Sequence, residues 1–238
     1  MYWIAFFIPM FVSACLAQSF RGVRAFFYIS LLFYFLAFAG NFYNGIDWIH
    51  YISIFNQVGD LTNISVLLSR YEPFFVMYTA LVKMLSDNYQ LLVIITTLIT
   101  ALSLYKALRN WGDEYDAPFN SAYALLLLYL MLGFSLQGEQ IRQSIAFAIL
   151  LPVLCYINRV SFGKWVLCVM IGSGFHVSAL IMVFVYPILK SEKTQKVYLA
   201  LILLSICFAL FLWSLPKFIH LLWFLPGIIV AKMSIYAE

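Results

Sequence analysis

Long apolar stretches, broken by short polar interruptions, recur along almost the whole chain. They lie at 2–18, 25–43, 91–108, 119–136, 141–157 and 197–215, with a last short run at 218–231. A bilayer core about 30 Å thick is crossed by roughly 20 apolar residues of α-helix at 1.5 Å each, so these runs predict transmembrane helices. A β-barrel would instead show weakly alternating segments of about 10 residues, and a solid run such as 91–108 does not alternate. Two stretches resist simple assignment. Residues 73–86 are short and contain Lys83, and 165–189 could cross once but for the interruption Gly172-Ser173-Gly174-Phe175-His176. The expected fold is an all-α, polytopic transmembrane bundle of about 8–10 helices, some short or broken, with 1–238 as a single integral membrane domain.

Cytoplasmic loops carry an excess of Lys and Arg. Arg21 and Arg24 place the first loop inside, which starts the N-terminus outside. The loop 44–72, with Asp47, Asp60 and Glu72 against Arg70, reads as external. Lys106 and Arg109 read as inside, 137–143 as outside, and Arg159 with Lys164 as inside, as do Lys190, Lys193 and Lys196. These signs stay consistent if 73–86 is a partial or interfacial helix and 165–189 is a helix-break-helix hairpin. Backbone leaves helical form at membrane depth only where protein or a watery cavity shields it, and Gly and Ser suit such a break.

Composition strengthens this picture. Of 238 residues, 65% are hydrophobic and 10% charged, where a soluble domain carries about 25% charged residues. Cys15, Cys155, Cys168 and Cys207 all sit in apolar runs without metal-site spacing, and read as small core hydrophobes rather than disulfides. Val12-Ser13-Ala14-Cys15 looks like a lipoprotein cleavage site, yet no Lys or Arg precedes it, against a signal peptide. The net charge of +4 fits one-sided loop charges, and no basic tract suggests nucleic acid.

The informative residues are ionisable groups at costly depths, which persist only beside a cavity or a partner. Four fall on the external side: Asp47, Glu72, Arg142 and His176. Two carboxylates, a guanidinium and an imidazole could bind an anion and move a proton. Each also has a plain structural explanation. Asp47 could be a solvated loop acid, and Glu72 before Pro73 could favour a helix start. Arg142 lies three residues after Glu139, within reach of an ordinary ion pair, and His176 could bond a carbonyl freed at the break. Lys83 reads as snorkelling to the interface, and His50 and His220 as structural.

The order and context of these residues resemble the EpsG/Wzy-type family, polytopic bacterial proteins that polymerise O-antigen or exopolysaccharide repeat units. The resemblance covers roughly residues 40–190 and rests on four pieces: Gly45-x-Asp47 with Tyr51, Tyr71-Glu72-Pro73-Phe74, Arg142-Gln143-x-x-Ala146, and Phe175-His176-x-Ser178-Ala179-Leu180. The chain is shorter than the resemblance leads one to expect, so a fragment, a C-terminally incomplete chain and a minimal member all fit.

The resemblance implies glycosyl transfer between undecaprenyl-diphosphate-linked glycans, donor and acceptor, at the external or periplasmic face of the bacterial inner membrane. Arg142 would bind the diphosphate, because a fixed planar fork stabilises charge developing on a leaving phosphate. Asp47, Glu72 or His176 would handle the acceptor hydroxyl, with Asp47 favoured because an external-loop acid is usual in lipid-linked glycosyltransferases. Tyr51, Tyr71, Gln143 and Ser178 would help to position the substrates. No metal or other cofactor is expected, since no Asp-x-Asp pair or His/Cys/Asp cluster occurs. A chain-length regulator is compatible as a partner. Three rivals stay open: a transporter of a lipid-linked or anionic substrate, to which the break at 172–176 would suit, a membrane acyltransferase, and a membrane subunit whose polar residues pair with a partner.

Overall fold

The computed structural model describes residues 2–19, 23–40, 47–59, 61–115, 120–130 and 140–190. Among them are ten α-helices and no strand: α1 (Tyr2–Ser19), α2 (Val23–Ala39), α3 (Trp48–Gln57), α4 (Leu61–Arg70), α5 (Pro73–Leu85), α6 (Tyr89–Tyr115), α7 (Ser121–Leu128), α8 (Ile141–Leu154), α9 (Phe162–Ser173) and α10 (Val185–Leu189). Short 3-10 segments cover Ile157–Arg159 and Val177–Phe184. The chain divides into two compact units, Met1–Tyr186 and Pro187–Glu238. The expected spans at 197–215 and 218–231 lie outside the described residues. So do His220 and Cys207.

The described parts of the apolar runs are helical, and among the described residues one helix, over Tyr89–Trp111 within α6, is long and apolar enough to cross a membrane. α1 and α2 are apolar all round. α1 buries Met10, Ala14 and Ala17 yet exposes Ile8, Phe11 and Val12, and α2 buries Tyr34, Ala37 and Phe38 yet exposes Ile29, Leu32 and Leu36. A helix that is hydrophobic on every face suits a core or a lipid surround, not water. These two helices pack on α7 and α6 through alanines at 14, 17, 37, 101 and 122, with Phe38, Leu104 and Leu125 filling between. Small residues let helix backbones approach where lipid gives no hydrophobic drive between helices.

α6 is also the spine for α8. Pro152 in α8 has no N–H, so the carbonyl of Ala148, one turn earlier, loses its usual donor. The Ser103 hydroxyl of α6 donates to that carbonyl instead. Asn110 Nδ2, further along α6, donates to the Pro152 carbonyl at 3.0 Å, close to the end of α8. Backbone groups freed by proline are thus satisfied from the neighbouring helix, as apolar surroundings require.

Two expectations change. The stretch 44–72, expected as an external loop, holds two helices, α3 and α4. α3 buries Tyr51, Ile54, Phe55 and, just past its end, Val58. That i, i+3, i+4, i+7 spacing is the amphipathic helix pattern, which the flanking acids obscure. The run at 119–136 begins as α7, Ser121–Leu128, and its residues from 131 on lie outside the described residues. Lys83 is not simply reaching for water: its Nζ lies 2.9 Å from Asp87 Oδ1 and 4.7 Å from the Phe55 ring centroid.

The stretch 73–86 is a 13-residue helix, α5. At 1.5 Å per residue it spans about 20 Å, short of a bilayer core. In 165–189, α9 stops at Ser173 and the chain returns mainly as a 3-10 segment rather than a second full α-helix. The two arms are antiparallel. Gly172 faces Ala179 near the bend. At the far end Trp165 Nε1 donates to the Met182 carbonyl at 2.9 Å, and the Tyr186 hydroxyl donates to Val160 O at 2.8 Å.

Candidate functional site

The bend between α9 and the 3-10 segment is built from backbone. The Gly172 carbonyl accepts from both Phe175 N and His176 N at 3.0 Å, which closes the helix. His176 then lies in extended conformation and caps the 3-10 segment, its carbonyl accepting from Ala179 N. The Gly174 carbonyl, left facing outward, accepts from Phe74 N at 2.9 Å and Phe75 N at 3.3 Å. Those are first-turn amides of α5, which have no partner within their own helix. Pro73 at the start of α5 pushes Glu72 into extended backbone. A Cβ on Gly174 would collide with the Phe74 ring, so this docking requires glycine.

This docking carries Glu72 to His176. Glu72 Oε1 lies 3.5 Å from His176 Nδ1 and accepts from Val177 N at 3.4 Å. Its other oxygen, Oε2, accepts from Arg142 Nη1 at 2.8 Å. Arg142 stands in the first turn of α8, where the positive end of the helix dipole disfavours a cation, and Glu72 supplies the compensating charge. Around the guanidinium stand Tyr71 at 5.6 Å and Tyr51 and Phe75 at 6.0 Å, measured to the ring centroids. The side chains are 10% (Glu72), 24% (Arg142) and 21% (His176) exposed. Burial by itself raises the Glu72 carboxyl, but the His176 imidazole and Arg142 guanidinium outweigh it and hold the carboxyl at about 2.

Two buried nitrogens stay without a hydrogen-bond partner: Arg142 Nε, and His176 Nδ1, whose carboxylate neighbour is at the edge of bonding distance. A guanidinium with an unused donor, walled by rings, can accept an oxyanion.

Of the eight residues singled out from sequence, Glu72, Arg142 and His176 meet directly, and Tyr51 and Tyr71 close around Arg142. Asp47 does not join them. It precedes α3 without a side-chain capping bond, and among the described residues no hydrogen bond or ion pair links it to the three. Gln143 is half-buried beside Arg142 in sequence, and Ser178 is exposed on the 3-10 segment. Glu139, the simpler partner for Arg142, lies outside the described residues. Phe75 and Gly174 were not singled out as site residues from sequence. The one available signal was their position, directly after Glu72-Pro73 and inside the glycine break.

Among the described residues, apolar helices, one of them long enough to cross a membrane, point to a helical membrane protein. The chain belongs to the EpsG family, matched over residues 1–238, and this membership points to polymerase-type work on polysaccharide. No curated protein and no solved structure gives a significant match.

Proposed function

We propose that this protein is a polytopic glycosyltransferase of the bacterial inner membrane. It joins undecaprenyl-diphosphate-linked repeat units of an O-antigen or exopolysaccharide at the external or periplasmic face. One observation carries the reading: a half-buried arginine at a helix start, held by Glu72 and walled by Tyr51, Tyr71 and Phe75, keeps an unused Nε donor. A lipid diphosphate offers the oxyanions that such a donor stabilises as the glycosidic bond breaks. Asp47, Glu72 and His176 are the candidates for the acceptor hydroxyl, and Gln143 and Ser178 for sugar contacts.

The test replaces Arg142 by Lys and by Ala in the producing strain, with membrane level followed by immunoblot. Collapse of the surface-polysaccharide ladder to one repeat unit, with protein still present, is expected for both. Lys keeps the charge but loses the fork, so its loss separates geometry from charge. A full ladder in both variants sinks the reading and moves the transporter or subunit alternative ahead.

A further inference from the structure

The geometry points to His176 as the general base for the acceptor hydroxyl, acting through Nε2, with Glu72 as the residue that positions it and Arg142 together. This rests on the polymerase reading above and decides among its three candidates. Both Glu72 oxygens are committed, Oε2 to Arg142 and Oε1 to Val177 N and the His176 ring. A carboxylate so engaged has little left to offer a substrate, and its low pKa makes it a weak base at neutral pH.

The imidazole is different. Nδ1 faces a carboxylate oxygen, and two lone pairs at that distance would repel, so Nδ1 carries the proton and Nε2 the lone pair. Among the described residues nothing hydrogen-bonds Nε2, and unlike Nδ1 it is not among the buried atoms that lack a partner. Among the described residues Asp47 makes no capping bond and has no hydrogen bond or ion pair to Arg142.

The step balances simply. Nε2 takes the acceptor hydroxyl proton as that oxygen bonds to the anomeric carbon of the donor. The bond from that carbon to the diphosphate oxygen breaks, its electron pair leaves on the lipid diphosphate facing Arg142, and the imidazolium later yields its proton to water.

Polymerisation of the cell's own lipid-linked repeat units, followed in membrane vesicles from about pH 5 to about pH 9, tests this. The charged groups around the ring are Glu72, from the turn before α5, and behind it Arg142 of α8, with Tyr51 and Tyr71 beyond. His176→Ala is expected to lose about 10²–10⁴ in rate, part of it restored by added imidazole. Glu72→Gln should slow the reaction by lowering kcat more than it raises KM, because the ring loses the carboxylate that orients it. Rescue by a diffusing base and a loss confined to kcat are effects that a merely structural role would not produce. If His176→Ala is not rescued by imidazole, or if it keeps full rate while Arg142→Lys loses it, the base assignment falls and the polymerase reading stands. Full polymerisation in all three variants overturns both.

Discussion

Where α1 meets α2, α6 and α7, contact is mainly side-chain packing: alanines at 14, 37 and 101 lie buried with Phe38 and Leu104, and no Asp, Glu, Lys, Arg or His is in the cluster. Where α5 meets the end of α9, contact is made by backbone and charge. Two amides share the Gly174 carbonyl, and Glu72 bridges Arg142 to the His176 segment. The first arrangement tolerates a graded loss, because removing a methylene only thins the packing. The second is close to all-or-none, since each partner removed leaves a buried polar group unsatisfied. A site that must hold a charged group in a fixed place is better served by the second.

The largest expected effect therefore lies in the charged junction. Glu72→Ala strands the Arg142 guanidinium at the positive end of α8 and should destabilise the protein by about 3 kcal/mol. Pairing it with Arg142→Met removes the stranded charge as well, so the double variant should lose clearly less than the sum of the singles. Thermal melts in detergent read both. Additive losses would mean that the pair contributes no coupling, and the contrast between the two regions would fail.

Next is the glycine on which α5 docks. Gly174→Ala forces the Phe74 ring aside and is expected to cost about 1–3 kcal/mol. Phe74→Ala in the same chain should recover part of this. By contrast, Gly163→Ala, where nothing stands near the added Cβ, should leave the melt unchanged or slightly raised. Equal losses at 163 and 174 would show that the close approach to Phe74 does not matter.

The junction should also have its own acid sensitivity. The Glu72 carboxyl is lowered from 4.5 to about 2. A depressed carboxyl contributes stability that is complete above the unfolded value and lost as pH falls through the folded one. Stability from this group should thus drain between about 4.5 and about 2, and Glu72→Gln should flatten that part of the melt-versus-pH curve. An unchanged curve would place the acid sensitivity elsewhere.

These differences also explain what could be read from the sequence. Lipid imposes composition, so the apolar runs that became α1, α2 and α6 were visible directly. α3 was hidden because its four inward positions, Tyr51 to Val58, are set among acids and amides that resemble a loop. Glu72, Arg142 and His176 each stood out as an expensive residue. That Glu72 faces the other two was not legible, because it depends on a backbone contact between Phe74 and Gly174. Such a contact leaves no side-chain pattern beyond a glycine and a proline.

The smallest effect distinguishes the two modes inside one element. In α9, Trp165 is fully buried and donates to the Met182 carbonyl, while Leu167, two residues on, is exposed. Trp165→Phe keeps most of the ring's packing and removes one hydrogen bond, so it should cost about 0.6–1.5 kcal/mol. The Met182 carbonyl belongs to a 3-10 segment, whose weaker internal bonding makes an outside donor more valuable. Leu167→Ala, facing outward, should stay within about 0.5 kcal/mol. If the two variants melt alike, the hairpin is held by ring packing in the manner of α1 and α2. The bond to Met182 would then be incidental to keeping His176 beside Glu72.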